Sequence, residues 1–151
     1  MTWGNPPKLE PTKAKRSKRL TAEMIAKDSE HSHQAALFAW AALSVGKYPK
    51  LKYMFAVPNG GYRDMGTAIT LKAEGVRAGV PDIFLPVFQW SVGEPGGLAG
   101  CFIEMKVGKN KTTKEQNEYI EYLQSEGYYC KVCYSWTEAR DTLIAYLEGK
   151  L

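Results

Sequence analysis

No apolar run in this chain approaches the length of a membrane span, and the polar first residues lack the apolar core of a secretory signal. The expectation is therefore a cytoplasmic protein with no membrane partner. Cysteine is scarce: three residues, irregularly spaced, do not make a disulfide framework. Cys130 and Cys133 have the CxxC spacing of a zinc or redox pair. They lie, however, in a run from Tyr128 to Tyr134 that alternates like a buried strand, where residues three apart face opposite ways. Core packing is the better reading of that pair. Histidine is scarcer still. His31 and His33 are two apart on a helical stretch and share no face, which argues against a histidine zinc site beside Glu30. No internal repeat is present.

Acid is nearly missing from the first twenty residues, where Glu10 stands against Lys8, Lys13, Lys15, Arg16, Lys18 and Arg19. That stretch carries a net +5 in a chain of net +4, so the remainder sums to −1. With Pro6, Pro7 and Pro11 and little apolar content, residues 1–28 read as a disordered basic arm. Such an arm either grips phosphates without sequence preference or is an idle solvated tail. Residues 29–151 read as one domain, large enough for a core that needs no staples.

Within that domain, Asp28 or Ser29 can cap a helix running to about Val45, with Gly46 as its stop. Leu37, Trp40, Ala41 and Ser44 trace one face, and the same face extends back through Gln34 and Glu30. Two polar side chains thus lie in line with an inward stripe. They either protrude beyond the sheet or reach a buried polar site. Leu51 to Val57 alternates as a strand and ends in the turn signal Pro58-Asn59-Gly60-Gly61. Asp64 can cap a short helix to about Glu74, closed by Gly75. A strand from Asp82 to Val87, a wide glycine-rich loop from Gln89 to Gly100, and a strand beginning at Cys101 read as a hairpin. Thr113 with Gln116 fits a capping box for a helix ending at Gly127, and Gln116 falls on the face of Ile120 and Leu123. The strand at Tyr128–Tyr134 follows. Ser135 with Glu138 reads as a second capping box, opening a helix with Ala139, Leu143 and Leu147 on one side. The order implies an α/β fold with a parallel crossover late in the chain.

The charges are placed unusually. Side chains alternate along a strand, so Glu104 and Lys106 point the same way while Ile103 and Met105 point the other. Beside them runs a strand that opens on Asp82. Charges on an inner strand are costly unless they have a partner or a task. Two carboxylates can hold a hard divalent cation, and a lysine beside them can stabilise an anionic oxygen. That is the minimum equipment of a metal-dependent phosphodiesterase.

At Pro81-Asp82 and Glu104-Met105-Lys106 the chain resembles the PD-(D/E)XK nuclease superfamily, and more narrowly the VRR-NUC family of virus-type replication and repair nucleases. The further residues that carry the resemblance are Glu30, Gln34 and Trp40, then Pro58-Asn59-Gly60-Gly61, Gly79-Val80-Pro81, Ile103 and Gln116. The resemblance implies a restriction-endonuclease-like core, α-β-β-β-α-β, with a mixed central sheet flanked by helices. It implies Mg²⁺ or Mn²⁺ held by Glu30, Asp82, Glu104 and the Met105 carbonyl. Lys106 would act on the attacking water or the scissile phosphate, and Gln116 would steady Lys106 or the water. The short chain is similar to stand-alone members that cleave four-way (Holliday) junctions as homodimers, which implies branched DNA as substrate and a homodimeric enzyme. Arg63, Lys72, Arg77, Lys109, Lys111 and Lys114 are the basic residues available for phosphate contacts. The alternative function is a non-catalytic nucleic-acid-binding module on the same fold. A binder, however, gains nothing from carboxylates set beside phosphate. A structural protein with a Glu104–Lys106 ion pair would explain neither Glu30 nor Gln116.

Overall fold

The computed structural model describes residues 28–58, 65–90 and 96–151. The basic arm up to residue 27, the Asn59-Gly60-Gly61 turn, the Asp64 cap, Arg63 and the loop tip at 91–95 lie outside the described residues.

Helix α1 (Glu30–Ser44) starts at Ser29, whose hydroxyl accepts the Ser32 N–H while Ser32 accepts the Ser29 N–H in return. Those two bonds satisfy donors that a helix start otherwise leaves open. Leu37 and Ala41 on its inner face are buried, and Trp40 packs against the same core. Gly46 follows the helix as expected.

The next segment departs from the sequence expectation. Residues 51–57 do not form one strand. A 3-10 helix covers Pro49–Tyr53, and only Phe55–Ala56 forms a strand, β1. Proline at the first helical position presets φ and loses no hydrogen bond there. Leu51 and Met54 are then both buried, a spacing of three that a tight helix can satisfy as well as a strand satisfies two.

Helix α2 (Met65–Ala73) is the expected short helix. Strand β2 (Ile83–Leu85) is shorter than expected at both ends, with Pro86 unable to extend the ladder. The wide loop contains structure of its own. Strands β3 (Gln89–Trp90) and β4 (Gly97–Leu98) pair antiparallel as a two-stranded flap. It is tied to the core by buried Tyr146, whose hydroxyl donates to the Val87 carbonyl at 2.6 Å and lies 3.2 Å from that of Leu98. Strand β5 (Cys101–Met105), helix α3 (Lys114–Ser125), strand β6 (Tyr129–Cys133) and helix α4 (Trp136–Leu147) complete the order. The Ser135 hydroxyl caps α4 by accepting the Glu138 N–H at 3.1 Å. The second half of that expected box differs: the Glu138 carboxylate accepts from Tyr134 N–H at 2.8 Å, one residue further back.

The sheet order is β1-β2-β5-β6. β1–β2 and β2–β5 are antiparallel, and β5–β6 is parallel across the α3 crossover. This is the α-β-β-β-α-β core with a mixed sheet that the family resemblance implies, carrying α2 and the flap as additions. One sheet face, with Ile83, Leu85, Cys101, Ile103, Met105 and Cys133, packs on α1 and α4 through Leu37, Ala41, Ala139, Leu143 and Tyr146. Burying each large apolar side chain there is worth about 1.5–3 kcal/mol. The opposite face carries an aromatic row. Phe84 stacks on Phe102 at 4.1 Å, and Phe55 and Tyr128 set their edges against Phe84. Cys130 and Cys133 are free thiols separated by the pleat, and burial pushes both up to about 11. They are therefore poor thiolate ligands at neutral pH. Among the described residues no helix is long and apolar enough to cross a membrane.

Candidate active site

The polar end of the aromatic face is where the charges gather. Pairing of Phe84 with Phe102 and of Ile83 with Ile103 sets the register, and one more step brings Asp82 opposite Glu104. Two carboxylates thus lie side by side on neighbouring strands. Asp82 is held there because its Oδ2 accepts the Met105 N–H at 2.9 Å, a ladder donor diverted to a side chain. Met105 has two faces in this arrangement. Its backbone borders the site, and its side chain is fully buried in the core behind.

Glu104 is 1% exposed. Its Oε1 accepts from Lys106 Nζ at 2.7 Å and also from Gln116 Nε2. Its Oε2 is buried with no hydrogen-bond partner among the described residues. Burial outweighs the lysine contact and, with the Asp82 charge beside it, pushes Glu104 up to about 7. Burial likewise raises Asp82 from its ordinary value, against the Met105 N–H and the Lys106 charge. Lys106 shows the opposite balance. Burial works to lower it, but the bond to Glu104 and the charges of Glu104, Glu30 and Asp82 hold it above the ordinary lysine value. It therefore stands as an ammonium, a donor with no acceptor capacity.

Gln116 performs both tasks that its position allows. Its Oε1 accepts the Thr113 N–H at 2.9 Å, while Thr113 Oγ1 accepts the Gln116 N–H at 3.2 Å. The carbonyl end of the amide is thereby committed to the helix cap, which turns the NH₂ end toward Glu104. The loop before β2 presses on the same helix start. Gly79 has φ +88, and a Cβ built there would meet the Glu115 carbonyl oxygen at 2.5 Å and the Gln116 N at 3.2 Å.

Glu30 stands at the mouth of the site. Its side chain is 41% exposed, with Oε1 3.9 Å from Lys106 Nζ and 3.4 Å from Asn110 Nδ2. Among the described residues, no three Asp, Glu, His or Cys side chains already converge as a metal cage. The Lys106 ammonium lies between Glu30 and Glu104.

These groups share one cleft of about 800 Å³. Its walls include Glu30, Gln34, Asp82, Glu104, Lys106 and Gln116, so the two polar residues on the inward stripe of α1 do reach a common site. Lys72 and Arg77 also line the cleft. Lys109, Lys111 and Lys114 are exposed but do not line the cleft. Asn110 carries no pattern in the sequence that marks it as a site residue. His31 also lines the cleft. His33 points elsewhere, accepting the Trp136 N–H at 3.1 Å and pairing with Asp28 at 2.8 Å.

A mixed sheet with paired carboxylates and a lysine at the end of its central strands, closed by a crossover helix, defines a nuclease-like fold. The comparisons with known proteins agree. The sequence profile of the VRR-NUC domain matches residues 16–136, and this chain belongs to the VRR-NUC family. A solved structure described as a VRR_NUC domain protein superimposes with a TM-score of 0.63 at 25% sequence identity, covering 79% of this chain and 88% of that one. No curated protein sequence matches.

Proposed function

We propose that this protein is a metal-dependent DNA endonuclease that hydrolyses phosphodiester bonds in the cleft between α2 and the start of α3. The observation that carries this reading is the buried Glu104, with one oxygen held by Lys106 and Gln116 and the other unpartnered among the described residues, set across from Asp82. A purely structural ion pair would be finished by its own hydrogen bonds. This one leaves a buried oxygen without a partner beside a second raised carboxylate, a cost that a bound cation offsets.

The donor set fits a hard divalent ion such as Mg²⁺ or Mn²⁺. Glu104 Oε2 and Asp82 would hold it, with the Met105 carbonyl and Glu30 as the further ligands that the family resemblance implies. The cation would neutralise phosphate charge and acidify a water. The protein's own groups do the rest. Lys106 offers a fixed positive charge to the phosphate as negative charge grows on its oxygens. Gln116 keeps Glu104 from turning toward solvent. Lys72 and Arg77 face the same cleft and can hold flanking phosphates.

Branched DNA, four-way junctions in particular, is the proposed substrate, and a homodimer the proposed form. One compact domain of this size offers one active site, and symmetric resolution of a junction needs two cuts on opposed strands, which a two-fold pair can place. A cytoplasmic location completes the reading. The test is cleavage of end-labelled duplex, flap and four-way junction DNA with Mg²⁺, Mn²⁺ or EDTA, alongside light scattering of the free protein. Cation-dependent cutting with a junction preference is expected. DNA binding without cutting under any cation would instead support the non-catalytic binding module. A monomer that cuts all substrates equally would leave only the nuclease standing.

A further inference from the structure

The segment between α1 and the cleft is built in a way that its role as a connector does not require. From residue 31 to residue 63 the chain contains no Asp or Glu, while Lys47, Lys50 and Lys52 alternate with Tyr48, Tyr53 and Phe55. The 3-10 helix is anchored from below by Leu51 and Met54, both buried. Its first end is pinned where the Tyr48 hydroxyl donates to Glu148 at 2.8 Å. With those anchors inward, Tyr53 is 58% exposed and Phe55 49% exposed. Lys52 Nζ sits 4.7 Å from the centre of the Tyr53 ring. Lys50 and Lys52 form no ion pair with any described residue.

The direction of this surface is as informative as its content. Phe55 pairs with Phe84 across β1–β2, so it lies on the sheet face that carries Asp82 and Glu104. Two residues further on, the Val57 N–H donates to the Asp82 carbonyl at 2.7 Å, and Pro58 lines the cleft. Two strand residues span about 7 Å, close to two nucleotides of a stacked strand at about 3.4 Å each. A half-open aromatic ring thus stands roughly two nucleotides from the carboxylates, held by an edge-on contact with Phe84 at 5.7 Å.

We propose that the 3-10 helix and β1 form a platform for an unpaired DNA strand leaving the cleft, with bases stacking on Phe55 and Tyr53 and phosphates held by Lys50 and Lys52. The inference rests on the nuclease reading but not on the four-way junction preference: it concerns branched DNA that carries an unpaired strand, such as a flap, whereas a fully paired junction would meet the lysines alone. Intact duplex stacks its bases internally and offers no free face to a ring, so duplex contact would use the lysines alone. The absence of carboxylates over this stretch of sequence suits a polyanion. Single exposed aromatics are common on protein surfaces. Here two stand at and just before the start of β1, interleaved with lysines that form no ion pair with any described residue, on the segment that leads into the cleft.

The test uses the full chain carrying Asp82→Asn, so that DNA is bound without being cut. Anisotropy titrations compare a fluorescein-labelled flap, the same sequence as single strand, and a blunt duplex. Tyr53→Ala and Phe55→Ala should each weaken flap and single-strand binding by about 5-fold to 150-fold, the usual cost of losing one stacked base, with blunt duplex unchanged. Phe55→Leu preserves apolar packing on Phe84 but removes the flat ring, and should match Phe55→Ala in binding while keeping the parent's thermal midpoint. Lys50→Ala with Lys52→Ala should lower the salt slope on single strands by about 1.4, at about 0.7 per neutralised phosphate. Equal losses on duplex and flap would overturn the unpaired-strand assignment in favour of a duplex clamp. Unchanged binding in all variants, while the wild-type protein still cuts DNA, would overturn the platform alone. Neither binding nor cutting of DNA by the wild type would overturn both this inference and the nuclease reading.

Discussion

Replacing Gly79 by alanine tests how tightly the loop before β2 must press on the start of α3. Two costs combine at that position. The backbone sits at φ +88, a conformation that costs an L-residue with a side chain about 1–2 kcal/mol. The new Cβ would also stand 2.5 Å from the Glu115 carbonyl oxygen and 2.7 Å from its carbon, and both are backbone atoms that cannot rotate away. Relieving such an overlap adds about 1–3 kcal/mol. The expected loss is therefore about 2–5 kcal/mol, a drop in thermal midpoint of about 4–20 °C for a domain of this size. The displaced backbone belongs to the turn that aims Gln116 at Glu104, and misplacing a catalytic support by about 1 Å can cost about a hundredfold in rate. Gly75 supplies the internal control. Its φ is +98, yet a Cβ there meets nothing within 4 Å. Gly75→Ala should show the strain cost alone, with single-turnover cleavage unaffected. Urea denaturation and single-turnover cleavage of both variants, measured at 25 °C well below either midpoint, separate the two effects. If Gly79→Ala is no less stable and no slower than Gly75→Ala, the packing of this loop against α3 is not what positions the site.

Asp82→Asn and Glu104→Gln should each reduce cleavage below detection while circular dichroism stays native. Mg²⁺ should raise the melting temperature of the wild type but not of Asp82→Asn, because a ligand stabilises only the state that binds it; an equal shift in both would remove Asp82 from the metal site. Lys106→Ala should retain DNA binding and lose single-turnover rate, since its charge is matched to the transition state; the reverse pattern would make it a simple phosphate clamp. Deleting residues 1–20 should weaken DNA binding and flatten its salt dependence, by about 0.9 in slope for each duplex phosphate that the arm neutralises, with cut positions unchanged; an unaltered slope would show an idle tail.

Much of this architecture could be read from the chain because the site is made of short-range regularities. Alternation along residues 101–106 places Glu104 and Lys106 together, and the hairpin reading brings Asp82 beside them. The box Thr113-x-x-Gln116 marks the start of α3 from four residues. What escaped the sequence depends on competition between periods or on distant contacts. Leu51, Tyr53 and Phe55 satisfy a period of two, whereas Leu51 and Met54 satisfy a period of three. Pro49 and burial of the latter pair favour the helix. The flap strands are two residues each, too short for any period. Asn110 meets Glu30 across 80 positions of sequence, which no local pattern encodes. The Glu138 carboxylate overshoots its expected partner because the geometry of the turn decides between Tyr134 and Ser135, and composition does not.

The dual bonding of Gln116 restricts what sequence position 116 tolerates. A helix start treats Glu and Gln at the third residue of a capping box as near equals, because either can accept the N-cap N–H. Glutamate even gains from the helix dipole. At this helix start the second bond separates them, since only the amide can also donate to Glu104. Glu in its place would satisfy Thr113 and turn a second carboxylate oxygen on the carboxylate that it now steadies. Gln116→Glu is thus a substitution that redesign for helix stability alone would favour, and that would set a second carboxylate against buried Glu104. The helix leans toward glutamate; the strand behind it requires the amide.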